Sequence, residues 1–399
     1  MNKNRNESDN TNILEFPTQQ NDPVVQRHNR RMQKNAKKRY IKYILLCFSA
    51  IIIIAAFFAI NSGKDNFKNT DEVNRTAIDT LSSENYAFSA YREGYIYAKD
   101  GKISCYNTNQ EMQWEINGSK TEPKIAVNEE YALIYYPNDA LAVVTDGSKT
   151  KSIKTDGNVV YGTVNKNGYA ALIVEEDGFK NQIAVYNASG KSLYKWHNSD
   201  EYITAVQFSD NNKYLVASGV GFDEKKVGAE AFVFDITTKD SAKKVALGDS
   251  VICDMKFISK NDFIVILDNK TVCYNIGQKE KWSIDYDGKN LCTYDISDIG
   301  SVALVFGDDS AMSGSEIMFY NRRGTLKGKC KTDSKVSQIN MQGSTALAIC
   351  DRELAVLNSK GKKIYSQELN YDVRKSYFLG DKKTALTIAG SGAYLVSAH

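Results

Sequence analysis

Three histidines, His28, His197 and His399, are the only imidazoles in the 399-residue chain. A Ser/His/Asp catalytic set outside the cell would need His197 or His399. His197 follows Trp196 at the end of an expected outer strand, and His399 is the last residue. Neither sits in a pattern that presents a nucleophile. Zinc is poorly served too, because no Cys-x2–4-Cys or His-x3-His spacing occurs. Asp285-Tyr286-Asp287-Gly288 starts like a calcium loop but lacks the acidic ligands that should follow, and 307–316 matches no loop pattern. No Gly-x4-Gly-Lys-Ser/Thr phosphate loop is present. A paired-carboxylate glycosidase stays open, since acids abound and their separation is set only by the fold. The residues therefore predict a binding protein without a cofactor or metal rather than an enzyme.

The cysteines read as packing groups. Cys105 and Cys273 take a repeat position that Val185, Phe319 and Val356 fill elsewhere, and Cys350 takes the place of Leu267. Exchange with plain hydrophobes implies buried, inert thiols. Cys253 and Cys292 fall at similar positions on neighbouring inner strands. A bridge between them is the minority alternative to two free thiols.

The elements that hold these residues come in three parts. Residues 1–42 carry ten Lys/Arg and four acids, leaving 41 basic and 44 acidic residues in the remainder. A basic tail thus precedes a slightly acidic body, which is no footprint for nucleic acid. Residues 43–60 contain no charge (YILLCFSAIIIIAAFFAI), and with Ile41 they approach the ~20 residues needed to cross a bilayer. The run is too long, and too far from the start, for a cleaved signal peptide. The division expected is a disordered basic tail over 1–40, a transmembrane helix over 41–60, a linker over 61–75 and an exported domain over 76–399. Eight Lys/Arg between Arg27 and Lys42 set the N-terminus in the cytoplasm and the body outside a single-pass cell-membrane anchor. The same cluster is placed to meet anionic lipid headgroups.

The body alternates apolar runs of five to eight residues with Gly, Asn and Asp turns, and has no long helical period. Asp100-Gly-Lys-Ile-Ser-Cys-Tyr-Asn107 matches Asp268-Asn-Lys-Thr-Val-Cys-Tyr-Asn275 and Asp351-Arg-Glu-Leu-Ala-Val-Leu-Asn358. Tyr-Asn recurs at 106/107, 186/187, 274/275 and 320/321. A unit of about 40–45 residues with four strands is a propeller blade. The expected class is all-β, an eight-bladed β-propeller, with seven blades as the alternative. Blades start near Tyr86, Glu122, Val159, Tyr202, Val251, Asn290, Lys335 and Asp372. The eighth is completed by a strand over 76–81, which removes an open edge. Trp114, Trp196 and Trp282 should sit on outer strands and plug the gap to the next blade, with Tyr365 in the equivalent place.

From Asn187 to Trp196 the pattern Asn-x-x-Gly-Lys-x-x-x-x-Trp resembles quinoprotein-like propeller blades. The layout of basic tail, single span and Tyr-rich propeller is similar to an uncharacterised domain-of-unknown-function family of clostridia and related Gram-positive bacteria. That resemblance implies fold and placement, and no activity. The Trp-Asp and Gly-His signatures of WD40 blades are absent, as is the vicinal Cys pair expected of a quinone-dependent dehydrogenase.

On such a ring, binding belongs to the loops. Those joining second and third strands open on the same face as the blade-to-blade connections. Three are enlarged, at 175–181, 219–228 and 307–315. The candidate binding residues are Phe179, Phe222, Asp223, Lys225, Lys226, Asp308, Asp309 and Met312, apolar anchors among charges. The expected function is a protein-interaction scaffold of the cell envelope. A cell-wall glycan binder, drawing on the tyrosines, is second, and an envelope hydrolase third.

Overall fold

The computed structural model describes residues 75–79, 86–223, 226–238, 242–308, 314–390 and 392–398. The expected tail, transmembrane helix and most of the linker lie outside the described residues. Among the described residues no helix is long and apolar enough to cross a membrane.

Eight four-stranded antiparallel sheets follow one another along the chain. Blades one to seven span 86–117, 124–154, 159–198, 202–246, 252–285, 291–331 and 336–368. The eighth contains three C-terminal strands from 373 to 397, and its outer strand is Arg75–Asp79, paired antiparallel with Ala393–Ser397. The protein is an eight-bladed β-propeller, closed by a strand from the start of the described chain.

Burial along each blade follows position in the ring. Second and third strands lie between neighbouring blades, so both faces are covered and the sequence runs continuously apolar. Ala170–Val174 and Asn181–Tyr186 are buried at every residue. Outer strands such as Met112–Asn117 and Glu280–Asp285 alternate between half-buried and exposed.

The recurring Asn explains the repeat. In blades one, three, six and seven, Oδ1 of Asn107, Asn187, Asn321 and Asn358 accepts amides two and four residues on, at 2.9–3.1 Å. Asn275 takes the Lys279 amide at 2.9 Å. This Asx turn fixes the hairpin into the outer strand. The residue three after the Asn has positive φ: Gly190, Gly324 and Gly361, but Gln110 (63°) and Gln278 (68°) in the other two blades.

The tryptophans seal blade seams as expected. A Cβ added to Gly147 in blade two would lie 2.5 Å from the Trp114 indole, and one on Gly324 in blade six 2.7 Å from Trp282. Trp196 packs against Phe232 and Phe234 of blade four, with centroids 5.5 and 4.9 Å away. Its register differs, however. Trp114, Trp282 and Tyr365 pair with Cys105, Cys273 and Val356, whereas in blade three Tyr194 holds that place opposite Val185 and Trp196 sits one pleat further along. Cys105, Cys273 and Cys350 are buried, and Cys253 and Cys292 are free thiols. Burial pushes the thiols of Cys273 and Cys350 up to about 12, as inert packing groups require.

Candidate functional site

Blade four departs from its neighbours. Its second and third strands, Tyr214–Asp223 and Lys226–Asp235, have ten residues each, against four to seven in every other described strand. The inner strand pairs no further than Val220 and the outer strand no further than Glu230. Residues 221–223 and 226–228 therefore pair only with each other, as a two-stranded arm beyond the sheet. The sequence predicts a loop at 219–228, and the structure corrects that to a continuous hairpin. The glycines suggest turns that the backbone does not make. Gly219, Gly221 and Gly228 have no positive φ. Gly219 is needed because a Cβ there would stand 2.4 Å from the Phe232 ring.

The foot of the arm is pinned by charge. Lys244 Nζ donates to Glu201 Oε1 at 2.6 Å and lies 3.1 Å from Glu230. Burial would raise the Glu201 carboxyl, but the hydrogen bond and charge of Lys244 overcome it and hold the group below its ordinary range. Lys244 also lies over the Phe232 ring at 5.1 Å.

Apolar side chains gather on the face from which the arm projects. Phe179, in the second-to-third loop of blade three, is 44% exposed, and Tyr202, opening the inner strand of blade four, is 45% exposed. Lys180 bridges the two loops, its ammonium 4.5 Å from the centre of the Tyr202 ring and its amide bonded to the Asn198 carbonyl. Val160 and Val251 are likewise exposed at the starts of the inner strands of blades three and five. Val160 is the extra residue of a bulge between Val159 and Tyr161, and such bulges re-aim a side chain. His197 packs on Phe179 at 5.2 Å and meets Glu176 Oε2 through Nδ1 at 2.5 Å. Among the described residues no hydroxyl or thiol completes this pair as a triad.

The expected candidates divide accordingly. Phe179 is on this face as expected. Phe222, Asp223 and Lys226 fall in the arm's strands rather than in a loop, and Lys225, Asp309 and Met312 lie outside the described residues. Asp308 is exposed and lines a separate groove of about 440 Å3 on blade six, next to Lys289 and Glu316. The Lys289 hydrogen bond, 2.8 Å long, holds Glu316 below its usual range. Tyr202, Val160 and Val251 were missed because a lone apolar residue at a strand start has no distinguishing spacing.

The fold and these loops define the class as a β-propeller with loop-built surfaces on one face. Residues 63–394 match a family of unknown function (DUF5711), and the chain belongs to that family. No curated protein matches it. Among solved structures it is similar to BamB from Moraxella catarrhalis, at 10% identity and a TM-score of 0.51 over 82% of this chain and all of that one. It is also similar to the C-terminal WD40 domain of Sif2, at 12% identity and a TM-score of 0.60 over 82% of this chain and 98% of that one. At such identities the likeness concerns the fold.

Proposed function

We propose that this protein is a membrane-anchored, extracytoplasmic propeller that docks another protein of the cell envelope through the face carrying the blade-four arm. The observation that carries this reading is the set of exposed apolar residues, Val160, Phe179, Tyr202 and Val251, on three consecutive blades of one face. Exposed aromatic residues with a polar rim concentrate binding energy at protein interfaces, and the Lys244 network and Lys180 give them a fixed setting. The charge-free run at 43–60 and the basic residues before it support the anchor and its orientation.

The glycan alternative drew on the 24 tyrosines. Tyr91, Tyr95, Tyr136 and Tyr286 are at most 2% exposed and belong to the core. Protein docking is therefore favoured. Phe179→Ser with Tyr202→Ser, on full-length protein in membranes, should reduce recovery of cross-linked envelope proteins by about tenfold or more while leaving the circular dichroism melt in place. Unchanged recovery from a folded double variant would overturn the reading.

A further inference from the structure

On the opposite face, the inner strands and first turns of blades two to six surround a cavity of about 620 Å3. That volume falls in the range of small-molecule sites. Asp254 of blade five and Asp295 of blade six line it. Burial, then the charge of Asp295, lifts the Asp254 carboxyl to about 6, although the Met255 amide at 2.7 Å and the charge of Lys256 oppose this. Burial raises Asp295 too, against amides from Met341 at 2.5 Å and Ile296 at 2.8 Å and against Lys256. Lys256 itself gives a hydrogen bond to the Ile296 carbonyl at 2.6 Å. Glu129, Asp210 and Asp298 add negative charge to the lining and Lys166 positive, so five acids stand against two bases.

A second observation is independent of that charge. Asn165 is 3% exposed and lines the same cavity. Its Oδ1 accepts the Asn167 and Tyr169 amides, both at 2.9 Å, which fixes the orientation of its amide. Its Nδ2 has no partner among the described residues, and neither does Oδ1 of Asn212, which lines the cavity from blade four. Orphaned buried donors and acceptors cost about 1–3 kcal/mol each, and they mark where the polar atoms of a ligand fit. A bare metal ion suits the site poorly, because among the described residues no three His, Cys, Asp or Glu side chains converge.

We infer that the cavity binds an organic cation, an ammonium or guanidinium group attached to a hydrogen-bond acceptor. Asp254 and Asp295 receive its N–H donors, and Asn165 Nδ2 donates to its acceptor. The same chemistry is offered by a free small molecule and by a basic side chain on an inserted peptide. Calorimetric titration of the full chain in detergent with L-argininamide, and separately with an acetylated Gly-Arg-Gly peptide amide, distinguishes the two. Saturable binding of either probe below about 10 mM is expected, the tighter probe identifying the source. Asp254→Asn and Asp295→Asn, each with an unchanged dichroism spectrum, should weaken it at least about tenfold, and Asn165→Ala less. Absence of saturation with both probes, equal affinity in folded Asp254→Asn, or binding of calcium that neither probe displaces would overturn the proposal. None of these outcomes bears on the docking face, which lies at the other end of the blades.

Discussion

The indole N–H of Trp282 donates to the carbonyl of Arg322 at 3.1 Å, from the outer strand of blade five to a turn of blade six. The same ring fills the space that a side chain at position 324 would need. Trp282→Ala should cost about 2–4 kcal/mol, lying below full core truncation because the residue is only half-buried. Trp282→Phe should recover most of the packing and lose about 1 kcal/mol with the hydrogen bond. Denaturant unfolding of the two variants measures both, and equal losses would show that the hydrogen bond rather than the ring holds the seam.

Gln110 and Gln278 occupy a left-handed position that glycine takes in three other blades. The left-handed conformation costs a side chain about 1–2 kcal/mol, and the added freedom of glycine in the unfolded chain returns part of that. Gln110→Gly should therefore stabilise by roughly 0.5 kcal/mol, whereas Gln278→Gly should gain nothing, because it also removes the hydrogen bond from Gln278 Nε2 to the Lys244 carbonyl at 2.8 Å. A lowered denaturation midpoint in Gln110→Gly would contradict the turn assignment.

Asp254 gives stability a pH dependence of definite sign. Its folded carboxyl titrates near 6, above the ordinary range, so the folded state holds the proton more tightly than the unfolded one. Stability at this site is greatest below about pH 4 and falls as pH rises towards 6. Among the described residues, Asp295, Lys256, Tyr161, Tyr294 and Cys253 are the ionisable groups coupled to it. Asp254→Asn should match the parent near pH 4 and exceed it by up to about 3 kcal/mol at pH 7. Parallel stability curves for the two proteins would refute this. A carboxylate retained at such a cost fits the cation-binding role inferred for the cavity.

Ala77 pairs with Tyr394 in the closing ladder. Proline there removes a donor from the strand, and Ala77→Pro should lower stability by at least about 1 kcal/mol. Loss of the strand uncovers the edge of Ala393–Ser397, so sedimentation should show association that the parent lacks. A monomeric Ala77→Pro variant with an unshifted melt would show that the ring does not depend on this pairing.

The ring was legible because its determinants are local and recur. One Asn fixes the outer hairpin in five of the eight blades, and covered strands read as unbroken apolar runs, so Tyr86, Val159 and Tyr202 open blades where the sequence puts them. The arm was not legible, because Gly219 and Gly228 look the same in sequence whether they turn a chain or make room for a ring. The Asp254–Asp295 pair was invisible for a different reason. Each inner strand contributes a single carboxylate, and only closure of the ring brings successive strands together. Phe179 could be named as a candidate because an enlarged loop announces itself, whereas Tyr202 and Val251 sit at ordinary strand starts.

Closure of the eighth blade by Arg75–Asp79 has a consequence for biogenesis. The segment synthesised first among the described strands is the last to be satisfied, because its partner follows every other described strand in the chain. Seven units can assemble in order while both lips of the incomplete circle stay adhesive. A cell making this protein must shield those lips until the two strands meet.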